Sequence, residues 1–148
     1  MIFKIKRMKP KIIVDTNVLV AALKSRNGAS FRLLAALEGE NYIPCLSVPL
    51  FVEYESVLKR LGLLPHLPEA EIDTVLDYLL SRASVHKIFF LWRPFLKDPK
   101  DDLVLEAAFA AQSQYLVTFN LRDFQGVENA FGIKVRTPKE FLIERGLL

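Results

Sequence analysis

The chain has 148 residues, of which 51% are hydrophobic and 25% charged, so it is long and apolar enough for one packed core and disorder is not expected. A net charge of +3 is compatible with a polyanionic partner but does not require one. A single cysteine, Cys45, excludes an intramolecular disulfide, and only two histidines, His66 and His86, argue against a Cys/His zinc site or a Ser-His-Asp mechanism.

No apolar run approaches the roughly 18 residues of a membrane-spanning helix, and the basic start at Met1–Arg7 has no apolar run of signal-peptide length. We therefore expect a soluble, cytoplasmic protein. We expect one domain over residues 1–148, with residues 1–10 as a short basic extension.

The predicted elements alternate between strand and helix along the chain. β-Branched and apolar runs predict five strands, at Lys11–Val14, Tyr42–Leu46, Val85–Trp92, Tyr115–Phe119 and Lys134–Arg136. Helical apolar spacing and capping residues predict helices at Ala29–Gly39, from the N-cap Ser47 to about Leu61, and at Glu69–Arg82, Asp98–Gln112 and Lys139–Arg145.

Short apolar strands separated by helices predict an α/β fold, a three-layer α/β/α sandwich around a mostly parallel sheet. In such open sheets the ligand site lies beyond the carboxyl ends of the strands. Acidic residues just after strands, or in the first turn of the following helices, are therefore the candidates for a site.

Two carboxylates stand out in the first half of the chain. Asp15 directly follows the first strand, where a turn or helix cap is the alternative interpretation. Glu53 lies on or beside the predicted core stripe of its helix, at Leu50, Tyr54, Val57 and Leu61, where a carboxylate needs a partner or a polar cleft. A helix-edge glutamate that reaches water is the alternative. Glu55, by contrast, has the i,i+4 spacing for an exposed pair with Lys59.

The second half of the chain adds acids in two places. Asp98, Asp101 and Asp102 lie at the start of one predicted helix. N-capping and the helix dipole account for one or two acids at such a position, but they do not require three. Asn120 and Asp123 follow the fourth strand, where an ordinary turn with Asp123 as a helix cap is the alternative.

Together these positions predict four acids, Asp15, Glu53, Asp102 and Asp123, at one end of one sheet. Oxygen ligands without nearby histidine or cysteine suit Mg²⁺ or Mn²⁺. Such ions lower the pKa of water and stabilise charge on a phosphodiester.

The same residues carry a resemblance to the PIN-domain nucleases, and among them to VapC-like toxin components of prokaryotic toxin–antitoxin pairs. The opening strand with Asp15, the segment from Ser47 to Glu53, and the run that begins Asp101-Asp102-Leu-Val are similar to the first three acidic blocks of the family. The segment from Thr118 through Asn120 to Asp123 resembles the fourth, and residues 135–142 resemble the closing strand and helix of one subgroup. Many relatives carry an acid where this chain has Asn120.

The resemblance implies an α/β/α sandwich, bound Mg²⁺ or Mn²⁺, RNA cleavage, frequently a homodimer, and inhibition by a small antitoxin protein. It implies that Asp15, Glu53, Asp102 and Asp123 are the catalytic and metal-binding acids. Four neighbouring residues would support them: Thr16, Asn17, Thr118 and Asn120. Basic side chains near the predicted strand ends are candidates for guiding phosphates, namely Lys24, Arg26, Lys97, Lys100 and Arg122.

Two alternatives to a nuclease remain open from the sequence. A non-catalytic PIN scaffold that binds RNA or a protein is consistent with Asn120 in place of an acid. An aspartyl phosphatase or a receiver-like domain is disfavoured, because Asp15-Thr-Asn17 lacks the second aspartate of the phosphatase pattern Asp-x-Asp and receiver domains resemble the chain even less. The apolar run at Ile88–Trp92 predicts a central buried strand, with a dimer or antitoxin surface as the alternative.

Overall fold

The structure is a computed structural model, and it describes residues 9–88 and 95–148. Five strands form one parallel sheet in the order β3-β2-β1-β4-β5. Their bounds are Lys11–Val14 (β1), Ile43–Leu46 (β2), Ser84–Val85 (β3), Tyr115–Val117 (β4) and Lys134–Arg136 (β5). The predicted α/β fold with a parallel sheet is confirmed, as are the positions of the first, second, fourth and fifth predicted strands except for some of their ends.

Seven α-helices lie between and after these strands in the described ranges. They are Thr16–Lys24 (α1), Ala29–Ala35 (α2), Val48–Leu58 (α3), Glu69–Arg82 (α4), Pro99–Ala110 (α5), Val127–Phe131 (α6) and Pro138–Glu144 (α7). A short 3-10 helix covers Leu121–Phe124. Helix α5 packs across β1, β2 and β4, α4 packs on β2, and α7 packs on β5. No helix in the described part of the chain is long and apolar enough to cross a membrane.

Helix α1 was not predicted from the sequence. Its residues continue the apolar character of β1 and include Val18 and Val20, whose branched side chains favour strands. The helix begins because Asp15 caps it, accepting a hydrogen bond from the backbone of Thr16. Its buried positions then follow helical spacing, with Val18, Leu19 and Ala22 against the core.

Two predicted details of the helices were wrong. The core stripe of α3 is Leu50, Tyr54 and Leu58, and Leu61 lies fully exposed beyond the end of the helix. Helix α2 ends at Ala35, four residues before the predicted stop at Gly39. In α3 the apolar spacing continues to an exposed residue, and after α2 the buried Leu37 packs in the core from the turn beyond the helix, so apolar spacing overstated both helix lengths.

The third strand is much shorter in the structure than predicted. β3 covers Ser84–Val85 at the edge of the sheet, and Val85 is 53% exposed, so the described part is not a central buried strand. Most of the apolar run predicted to form it, residues 89–92, lies outside the described residues.

Candidate active site

The strand order creates a crevice beside Asp15. β1 and β4 are neighbours, but the chain leaves β1 toward β2 and leaves β4 toward β5, on opposite sides of the pair. A divergence of this kind at the carboxyl ends of parallel strands is where open α/β sheets bind ligands. Asp15 follows β1 and Thr118 follows β4, and the backbone N–H of Asp15 donates to the Val117 carbonyl at 2.9 Å.

The Asp15 carboxylate is held by hydrogen bonds at both oxygens. Its Oδ1 accepts from the Thr16 backbone at 2.8 Å, and its Oδ2 accepts from Thr118 Oγ1 at 2.7 Å. Thr118 is fully buried and also accepts from the backbone N–H of Asn120 at 3.0 Å. Thr118 therefore fixes the direction of Asp15 and the start of the following loop at once.

The environment of Asp15 is costly for its charge. The side chain is only 8% exposed, and burial raises the pKa of its carboxyl above the ordinary value. The bonds from Thr118 and Thr16 oppose that rise, while the nearby charges of Asp123 and Glu53 add to it. A buried, repelled carboxylate is the kind of group that a bound cation stabilises.

Helix α3 brings Glu53 to the same crevice. Ser47 caps the helix, accepting from the Leu50 backbone at 3.1 Å, and Pro49 lies in its first turn, as predicted. The next residue after Glu53, Tyr54, is fully buried and its hydroxyl donates to the carbonyl of Val14, directly before Asp15. This bond ties the helix that carries Glu53 to the strand that carries Asp15.

We expect Tyr54→Phe to lower the free energy of unfolding by about 1–3 kcal/mol, because it leaves the buried Val14 carbonyl without its partner. Chemical denaturation followed by circular dichroism measures this. Tyr78→Phe is the matched control, since the Tyr78 hydroxyl has no hydrogen-bond partner in the described structure. An equal loss of stability in both variants would contradict the role given to the Tyr54 hydroxyl.

Helix α5 places Asp101, rather than Asp102, in the crevice. Asp98 caps the helix through Lys100 N at 2.9 Å, as predicted. Asp102 is 2% exposed, and its Oδ1 accepts from the Leu96 backbone at 2.9 Å, so it anchors the segment before the helix. Burial, then the charges of Asp15, Asp98, Asp123 and Asp102, raise the pKa of Asp101 to about 6.

The side chains of this crevice line a pocket of about 290 Å³, here called the acid pocket. Its polar lining consists of Asp15, Thr16, Asn17, Glu53, Arg60, Asp98, Lys100, Asp101 and Asn120. Asp123 is exposed in the 3-10 helix and lines a neighbouring pocket that shares Asp98 and Asp101 with the acid pocket. Of the four predicted acids, Asp15 and Glu53 therefore line the acid pocket, and Asp123 lines the neighbouring pocket. Asp102 lines neither pocket and is buried.

The acid pocket fits a hard cation by the chemistry of its donors. All of its candidate ligands are carboxylate, amide or hydroxyl oxygens, which Mg²⁺ and Mn²⁺ prefer. Two of its lining atoms, Thr16 Oγ1 and Asn17 Oδ1, are buried without a hydrogen-bond partner in the described structure. Within residues 9–88 and 95–148, no three His, Cys, Asp or Glu side chains converge into a ready metal-binding group. A cation there would keep several of its waters, as Mg²⁺ commonly does.

The predicted basic residues divide into two groups. Lys100 lines the acid pocket, and Lys97 and Arg122 line the pocket beside it. Lys24 and Arg26 line neither pocket, because α1 begins directly after Asp15 and its nine residues carry the chain about 14 Å away.

Sequence reasoning also missed three polar residues of the acid pocket, of which Asp98 was predicted only as a helix N-cap. Arg60 follows the end of α3, where no apolar pattern or motif marks it. Asp101 was visible only as one of several acids at a helix start, and nothing in the spacing distinguished it from Asp102.

Comparisons with known proteins agree with this architecture. A structure of the VapBC2 complex from Rickettsia felis bound to a promoter DNA fragment superposes with a TM-score of 0.58, at 16% identity over 86% of this chain and 98% of that one. An uncharacterized protein of Methanocaldococcus jannaschii is 27% identical over 95% of both chains. The sequence model of the PIN domain matches residues 11–122, which cover β1 to β4 and every residue of the acid pocket. The chain therefore belongs to the PIN domain family.

Proposed function

We propose that this chain is an Mg²⁺- or Mn²⁺-dependent endoribonuclease and the toxin component of a toxin–antitoxin pair. The observation that carries the proposal is the acid pocket itself. It combines buried Asp15 with Glu53 and Asp101 at the divergence of β1 and β4, in a chain of the PIN domain family.

The ligands that we assign to the cation are Asp15, Glu53 and Asp101, with the amide oxygens of Asn17 and Asn120 as further donors. A divalent ion bound there would lower the pKa of water and stabilise negative charge on a phosphodiester. Asp101 takes the place that sequence reasoning gave to Asp102, since Asp102 is buried on the Leu96 backbone. Asp123 acts from the neighbouring pocket through its charge.

The remaining residues of the pocket orient the acids and the substrate. Thr118 holds Asp15 by a hydrogen bond, and such supporting bonds commonly affect metal affinity or activity about 10- to 100-fold. Lys100 and Arg60 line the pocket beside the acids, and we assign them to the phosphates that flank the scissile bond.

The antitoxin partner is proposed from the resemblance to VapC-like toxins and from the likeness to the VapBC2 structure. We further propose that the protein acts in the cytoplasm and as a homodimer. Co-expression with the products of neighbouring genes, followed by size-exclusion chromatography with light scattering, tests both assemblies. A monomer without a co-eluting partner would contradict them and leave the nuclease proposal to its own test.

We expect the wild-type protein to cleave single-stranded RNA with Mn²⁺ or Mg²⁺ and to stop when EDTA is added. Gel analysis of an end-labelled RNA measures cleavage, and differential scanning fluorimetry measures metal binding. An ion at 100 times its Kd stabilises the fold by about 2.7 kcal/mol. This gain should shrink below about pH 6, because protons then compete for Asp101, whose pKa is raised to about 6.

The two readouts separate a nuclease from a non-catalytic scaffold. Asn120, which stands where many relatives carry an acid, is consistent with a scaffold that binds RNA without metal-dependent cleavage. RNA binding without any cleavage or metal-dependent stabilisation would overturn the nuclease proposal in favour of this alternative.

A further inference from the structure

The pocket next to the acid pocket combines an aromatic ring with two cations. We call it the Phe95 pocket. It has a volume of about 500 Å³, within the range of about 300–1,000 Å³ typical of small-ligand sites. Its lining in the described part of the chain includes Phe95, Lys97, Arg122, Asp123 and Gln125. Asp98 and Asp101 belong to both pockets, so an extended ligand can occupy the two at once.

The Phe95 ring leaves a face open. It packs against Phe131 with centroids 5.1 Å apart and planes at 68°, and it remains 43% exposed. In an edge-to-face pair, whichever ring presents its edge, at least one face of Phe95 is not covered by Phe131. An exposed aromatic face beside a cleavage site is the feature with which proteins stack unpaired bases.

The cations of the Phe95 pocket are available for phosphate. Neither Lys97 nor Arg122 forms an ion pair with a carboxylate in the described part of the chain, and both side chains are exposed. Asp98 is the N-cap of α5, and its Oδ1 accepts a hydrogen bond from the backbone N–H of Lys100. Two of the three acids that line the Phe95 pocket, Asp98 and Asp101, also line the acid pocket, whereas both cations line the Phe95 pocket alone and provide positive charge for a phosphate backbone.

We propose that the Phe95 pocket is a nucleotide subsite that holds one unpaired nucleotide of the RNA strand next to the acid pocket. The base stacks on the open face of Phe95, and its phosphate lies between Lys97 and Arg122. The Gln125 amide, which also lines the pocket, supplies hydrogen bonds to the base edge. This inference rests on the proposed ribonuclease function and makes single-stranded RNA the substrate class, because the faces of a base inside a duplex are covered by the neighbouring base pairs.

Binding of a fluorescein-labelled RNA hexamer in EDTA tests the subsite without requiring cleavage. We expect Phe95→Leu to weaken binding at least about fivefold, the lower end of what stacking one base contributes. Phe109→Leu is the matched control, because Phe109 packs edge-to-face on the same Phe131 ring, at 5.9 Å, but does not line the Phe95 pocket. Melting temperatures verify that both variants fold.

Two further arms identify the contacts. On a hexamer with abasic positions, Phe95→Leu should bind as the wild type does. Arg122→Gln should reduce the slope of log K against log salt by about 0.7, the value for one phosphate contact on a single strand, while Arg26→Gln leaves it unchanged. Equal weakening by Phe95→Leu and Phe109→Leu, the same loss on abasic RNA, or no binding by the wild type would overturn the subsite. Phe95-dependent binding without metal-dependent cleavage would instead overturn the proposed nuclease and retain the subsite.

Discussion

Asp101→Asn is expected to lower metal-dependent RNA cleavage at least about 100-fold, whereas Asp102→Asn is expected to retain most of it. Changing a residue that only orients a metal ligand commonly costs about 10- to 100-fold, so loss of a ligand should cost no less. Asp101 lines the acid pocket, while Asp102 is buried and holds the Leu96 backbone through Oδ1, an acceptor that Asn retains. Initial rates with Mn²⁺ on one RNA substrate measure both variants.

The stability of the metal-free variants provides an independent readout. The folded pKa of Asp101 is raised from 3.8 to about 6, so its ionisation opposes folding. That penalty is absent below the unfolded pKa and fully present once the pH exceeds the folded value. Asp101→Asn should therefore be more stable than the wild type at pH 7.5 in EDTA, and this advantage should vanish near pH 3.5.

Asp102 differs because its carboxylate has a structural partner. Asp102→Ala removes the acceptor of the buried Leu96 N–H and should lower the free energy of unfolding by about 1–3 kcal/mol. If Asp102→Asn abolished cleavage while Asp101→Asn retained it, the sequence-based assignment would be right and the assignment from the structure wrong.

These two neighbouring aspartates show where sequence reasoning stopped. Adjacent helix residues point about 100° apart, and the start of α5 has no complete turn before it to reveal which side faces the core. Asp102 is buried there only because the Leu96 backbone needs an acceptor, a tertiary contact that no local pattern contains. The sequence placed the acids at the correct helix start but did not choose between them.

The elements that sequence reasoning predicted well depend on local chemistry. Helix α4 runs over Glu69–Arg82 as its amphipathic spacing predicts, and Ser47 and Asp98 cap their helices as their residue types predict. The short apolar strands predict a parallel sheet with Asp15 at a carboxyl end, and the sheet order places Thr118 beside it. By contrast, α1 is helical despite the strand preference of its valines, because the Asp15 cap and the packing of Val18 outweigh that preference.

The last expectation concerns Asp15 itself. Asp15→Asn should abolish the stabilisation by Mn²⁺ and lower RNA cleavage at least about 100-fold. The substitution keeps the size of the side chain and an Oδ1 that accepts from Thr16, so the backbone at the end of β1 should be preserved. The substitution removes the negative charge at the centre of the acid pocket, and it also replaces the Oδ2 atom that accepts from Thr118 Oγ1 by an amide NH2 group, which cannot accept.

In the absence of metal, Asp15→Asn should raise the stability of the fold rather than lower it. Burial raises the pKa of Asp15, and the charges of Asp123 and Glu53 raise it further, so the charged form destabilises the empty fold. Asp15→Asn should then melt at a higher temperature than the wild type in EDTA at neutral pH, and at a lower temperature in saturating Mn²⁺. Asp77→Asn, a change on the exposed face of α4, controls for the loss of one charge and should leave both temperatures and the cleavage rate unchanged. Cleavage by Asp15→Asn at the wild-type rate would show that the acid pocket is not the active site, whatever its effect on stability.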